Sequence, residues 1–105
     1  INQCLVMIRV KKNISKENKL CGLEIKGHAG SSESGKDLIC AGVSSIVTGG
    51  FNALKKEEIA SITLEEGYAK VELTNDSTYS NLVLEVILIQ LQTIEVSYPQ
   101  YIDIK

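Results

Sequence analysis

The sequence predicts an α+β fold: a sandwich of a small, largely antiparallel sheet and two helices, in the order ββαββα. Three observations carry that prediction. Four short segments are rich in branched apolar residues or alternate with a period of two. Two longer segments repeat their apolar residues at spacings of three and four. Polar or glycine-bearing stretches separate them, with no internal repeat or linker, so the 105 residues make one domain.

Cys4 to Val10 is a near-continuous apolar run, suited to a strand that is central or covered on both faces. Lys11 to Lys19 is polar and charged and reads as a turn. Leu20 to Lys26 then alternates, with Cys21, Leu23 and Ile25 on one face and Gly22, Glu24 and Lys26 on the other. That parity carries His28 onto the polar face, with Gly27 a candidate bend.

Ala29, Gly30, Ser31, Ser32, Glu33, Ser34, Gly35 and Lys36 are small, polar or flexible and form a loop. From about Asp37 to about Lys55, Ile39, Val43, Ile46, Val47, Phe51 and Leu54 recur as one helical stripe. Gly42, Gly49 and Gly50 each cost a helix about 1 kcal/mol relative to Ala, which predicts close packing against a strand or second helix.

Ile59 to Leu64 and Tyr68 to Leu73 alternate around Glu65-Glu66-Gly67 and form a hairpin, Gly67 supplying the positive φ of a tight turn. Asn75 to Ser80 is a polar connection in which Ser77 or Ser80 caps the last helix, from about Ser80 to Val96. Val83, Leu84, Ile87, Leu91 and Ile94 form its core stripe. Leu82, Val86, Ile89 and Val96 form a second stripe on another side, for which a second copy of the chain is the natural cover.

Composition narrows the function classes. The net charge is −2 and the lysine pairs Lys11-Lys12 and Lys55-Lys56 sit beside carboxylates, so no basic face for direct nucleic-acid contact emerges. The longest apolar stretch, Leu82 to Leu91, is interrupted by Glu85 and Gln90 and is too short to cross a bilayer. The three cysteines, Cys4, Cys21 and Cys40, are odd in number and lack a C-x-x-C, which argues against a disulfide framework or a zinc ribbon and for a reducing, cytoplasmic setting. No metal or cofactor is expected. A start at Met7 would leave residues 1–6 as an extension or a remnant.

One pair of residues can do chemistry. Thiol proteolysis needs a thiolate and an imidazole within hydrogen-bond reach. His28 ends a predicted strand and Cys40 opens a predicted helix twelve residues later, so a strand–loop–helix turn brings them together. Asp37 as N-cap would place Cys40 at N3; a capping box from Ser34 to Asp37 would place it about one turn in. Either keeps Cys40 near the positive helix end, which favours the thiolate. Asp37 is also a possible supporting member of the site. Periodicity alone equally allows Cys40 to be an inert residue at the edge of the apolar stripe, and Cys4 and Cys21 alternate with core residues and read as inert. Gly30 to Asp37 nearly matches a phosphate-binding loop. Asp37 there replaces the hydroxyl that binds Mg²⁺, and the downstream hairpin leaves no room for a parallel sheet.

Gly27-His28-Ala29, the glycine-bearing loop and Asp37-Leu38-Ile39-Cys40-Ala41-Gly42-Val43-Ser44 resemble the ribosomal-processing cysteine protease family, Prp. The likeness extends to Met7-Ile8-Arg9-Val10 and to the late helix at Leu88 to Glu95. The resemblance implies a His28–Cys40 dyad, with Asp37 a motif residue. It further implies a homodimer that removes a short N-terminal segment from a ribosomal protein, the L27 homologue, cutting after an aromatic residue. On this reading Ala29 to Lys36 is a lid that orders over the peptide. The rival readings are a non-catalytic ribosome-associated module, which one Phe and no Trp disfavour, and a structural homodimer built on the last helix.

Overall fold

Alternation with period two becomes a sheet with one apolar face. The computed structural model describes residues 7–27 and 34–105, the stretch 34–37 by backbone alone. The strands β1 (Ile8–Ile14), β2 (Leu20–Lys26), β3 (Ile59–Glu65), β4 (Tyr68–Leu73) and β5 (Ile102–Ile104) form one sheet in the order β3-β4-β2-β1-β5. Every pairing is antiparallel except that of β5, which runs parallel to β1. The helices α1 (Ser34–Phe51) and α2 (Thr78–Ser97) supply the second layer. The core joins Val10, Leu23 and Val71 of the sheet to Val43, Val47 and Phe51 of α1 and Leu84, Ile87 and Leu91 of α2.

β1 is longer than its apolar run. Lys11, Lys12 and Asn13, read as a turn, pair with Glu24, Leu23 and Gly22 of β2. The face away from the helices is solvated and tolerates charge, and Lys11 lies opposite Glu24. The start of the run, 4–6, lies outside the described residues.

Cys21 corrects a second expectation. The register shifts between Asn13 and Ile14, which pair with Gly22 and Leu20, so Cys21 is an extra residue on its strand. Leu20 takes the core position, and Cys21 is half-buried with its Sγ donating to the Asn13 carbonyl at 3.3 Å.

The α1–α2 contact depends on Gly50, where a Cβ would collide with the buried Ile87 side chain. Gly42 lies against Ile94, whereas Gly49 has no neighbour within 4 Å. Ser77 sits at the N-cap of α2 but its hydroxyl donates to Thr74 O. The capping acceptor comes instead from the 3-10 turn Lys56–Glu58: Glu58 Oε1 accepts the Ser80 N–H at 2.9 Å, a negative charge at the positive helix end. No described helix is long and apolar enough to cross a membrane.

Candidate active site

β2 is followed by a position that only glycine suits. Gly27 has φ +96°, and a Cβ there would lie 2.7 Å from the Met7 carbonyl oxygen. Its N–H donates to Gly67 O at 3.0 Å, fastening the end of β2 to the β3–β4 turn. Gly67 itself has φ +80°, as the hairpin requires.

Between this fastened corner and α1 opens a cleft of about 460 Å³. That is the size of a binding cleft rather than a packing defect. Its sheet side is formed by Ile8, Ile25, Gly27, Ala69 and the hairpin end from Leu64 to Tyr68, and its helix side by Cys40, Val43, Ser44, Val47 and Thr48. Cys40, Ser44 and Thr48 follow one another at i, i+4 and i+8, so a thiol and two hydroxyls share one line along the helix.

Cys40 is half-buried and packs against the core while lining the cleft. It is therefore neither a fully enclosed core residue nor a surface one. Glu65 and Glu66 are the charged groups among the described lining residues. Tyr68, at the same end, donates its hydroxyl to Glu24 Oε2 at 2.7 Å. That bond holds the Glu24 carboxyl below its ordinary range and raises the Tyr68 phenol. The other described thiol, Cys21, is raised first by burial and then by the nearby Glu72 carboxylate, which disfavours its reactive form.

His28 lies outside the described residues, as do Ala29, Gly30, Ser31, Ser32 and Glu33, which the sequence predicts as loop. Gly27, adjacent to His28 in the chain, lines the same cleft as Cys40. Ser34, Gly35 and Lys36, expected in the loop, are helical. Asp37 accordingly lies inside α1 rather than at its N-cap, and Cys40 falls in the second turn, which excludes the N3 position and is close to the alternative of a helix start at Ser34. Serine and glycine are good helix-start residues, so a polar stretch could be read as loop or as first turn. The macrodipole fades beyond the first turn, so it acts on Cys40 less than an N3 position would imply.

The sequence reading gave Ser44, named only as a motif residue, no place in the site and missed Thr48; the i+4 spacing from Cys40 would have found both. It missed the hairpin wall, because no local pattern reports which face the turn approaches. Among the described residues no three His, Cys, Asp or Glu side chains come together to hold a metal.

Comparison with known proteins agrees with this geometry. The family described as "Cysteine protease Prp" matches residues 7–103. The ribosomal processing cysteine protease Prp of Staphylococcus aureus is 32% identical over 103 residues, covering 91% of this chain and 95% of the relative. The crystal structure of the S. aureus protease with a substrate peptide superimposes with a TM-score of 0.83 at 30% identity, covering 94% of this chain and 98% of that one. A second S. aureus structure, with a covalently linked product peptide, gives a TM-score of 0.78 at 32% identity over the same shares of the two chains. Sequence, fold and a thiol-lined cleft thus lead to one assignment, and the chain belongs to the Prp family of ribosomal-processing cysteine proteases.

Proposed function

We propose that this chain is the endopeptidase that removes the N-terminal extension of the large-subunit ribosomal protein L27 homologue, cutting after an aromatic residue. His28 and Cys40 act as its catalytic dyad. The observation that carries this reading is the cleft itself: Cys40 lines it on one side, and on the other Gly27 delivers the chain directly into His28.

His28 takes the proton from Cys40, and the thiolate attacks the scissile carbonyl. N–H groups in the first turn of α1 have no acceptor within the helix and are donors for the oxyanion. His28 then protonates the leaving amine, and water releases the acyl group from Cys40. Asp37, on the first turn of the same helix, supports the site by holding that turn or orienting His28. The Ala29 to Lys36 segment, whose last three residues open α1, closes over the peptide.

The working form is a homodimer in the cytoplasm, where its ribosomal substrate is made. Leu82, Val86, Ile89 and Val96 of α2 are 59%, 55%, 60% and 82% exposed in the single chain and support a second copy as their cover.

The test is incubation with the organism's own L27-type protein, read by mass spectrometry. The wild type should remove the extension after an aromatic residue, and Cys40→Ala and His28→Ala should leave it intact. Removal by Cys40→Ala, or an intact extension with the wild type, would overturn the proposal.

A further inference from the structure

β3 is an edge strand whose outer side pairs with nothing among the described residues. The hydrogen-bond parity tells which of its residues present their backbone there. Gly27 N–H donates to Gly67 O, so in the β2–β4 ladder the bonded pairs are Gly27–Gly67 and, two residues on, Ile25–Ala69. Ala69 thus turns its backbone to β2, and its neighbours Tyr68 and Lys70 turn theirs to β3. Their partners Glu65 and Thr63 face inward, and Ile62 and Leu64 direct N–H and C=O to the open edge.

The side chains of the same two residues add a second observation. Ile62 and Leu64 lie opposite the buried Val71 and Ala69, on the helix-bearing face of the sheet. Neither helix covers them, and they remain 45% and 48% exposed. An open edge with apolar side chains invites an added strand unless something blunts it. Here it leads into the active cleft, because Leu64 and Glu65 line the cavity that contains Cys40.

We propose that the substrate segment flanking the scissile bond docks as a sixth strand on β3. Its backbone pairs with Ile62 and Leu64, and its apolar side chains lie against theirs. This rests on the protease reading of the Cys40 cleft and assigns to β3 the recognition of an extended, apolar-bearing polypeptide. Main-chain pairing supplies affinity, and the alternate side chains supply selectivity. Continuity of the edge with the cleft favours the substrate as occupant over a second copy of the chain.

The experiment uses a synthetic peptide spanning the L27-type extension and its cleavage site. Ile62→Pro removes one outward N–H without breaking the β3–β4 ladder. It should lower kcat/KM for that peptide by roughly tenfold, the value of one lost hydrogen bond. Alkylation of Cys40 by iodoacetamide should stay at the wild-type rate. Wild-type cleavage by this variant would overturn the proposal. Should Ile62→Pro disturb the fold, seen as a changed melting curve or alkylation rate, peptides N-methylated at one amide at a time decide with the wild-type enzyme. Losses at every second amide, absorbed when Ile62 and Leu64 are changed to Ala, support β3 docking; losses confined to the scissile bond, or unaltered by those substitutions, overturn it. A wild type that cuts no such peptide sinks the protease reading along with this one.

Discussion

Gly27 is one of two glycines in the cleft and has no freedom to change. Its φ of +96° and the approach of Met7 O leave no place for a Cβ. Gly27→Ala should cost about 1–3 kcal/mol in urea unfolding. It should lower kcat/KM further than that loss explains, since it moves the chain leading into His28. An alanine variant with wild-type stability and turnover would refute the positioning role. The thiols give a second residue-scale prediction. Iodoacetamide at about pH 7 should label Cys40 faster than Cys21, whose thiol is raised by burial and by Glu72. Glu72→Gln removes that charge, lowers the Cys21 thiol toward its ordinary value and should speed its labelling; an unchanged rate would leave burial as the whole cause. That the end of β2 and the start of α1 meet at one cleft was legible in sequence, because a strand end and a helix are joined there by one short segment. The hydrogen bond from Gly27 to Gly67 was not, since forty residues of chain separate its ends.

Elements were legible where their periodicity was long enough to register. The β3–β4 hairpin follows its alternation and its glycine, and both helices follow their stripes. β5 has three residues, shortly after Pro99, too few for a period to appear, and its parallel partner β1 lies at the other end of the chain. Helix starts were the other difficulty. Serine suits loops and N-termini alike, which displaced the start of α1, and the acceptor for α2 comes from a turn about twenty residues upstream. Glu58→Ala should therefore destabilise the protein by about 1 kcal/mol in urea unfolding, as loss of a helix cap does. Gly50→Ala should cost more, about 1–3 kcal/mol, because the added methyl meets the buried Ile87. A propensity argument alone predicts the reverse, that alanine stabilises α1. The sign of that one measurement separates packing from propensity.

At the scale of the whole molecule, one sheet face carries both helices and the other carries solvated charge, with Arg9, Lys11 and Lys26 exposed beside Glu24 and Glu72. Among the described residues, Leu38 of α1 and Ile14 of β1 are exposed singly, and the apolar surface that forms patches lies in two places, the outer side of α2 and the edge of β3. They make different demands. β3 offers backbone bonds that an extended peptide satisfies, whereas α2 has its backbone bonds satisfied internally and offers side chains alone. Beside the α2 stripe runs a groove lined by Ile46, Gly49, Ala53 and Val86, in which Gly49 of α1 and Ala53 just after it leave room for a facing helix. Helices from two copies, each setting Leu82, Val86 and Ile89 against the other, would cover both stripes by a twofold interface. Such an interface repeats any substitution on both sides. Ile89→Glu would bury two carboxylates with no partner, and sedimentation should show monomers where the wild type sediments as a dimer. The cleft lies on the other side of α1, so the variant should still alkylate at Cys40 as the wild type does. A dimer that survives Ile89→Glu would place the interface elsewhere and return the α2 stripe to the question of what else covers it.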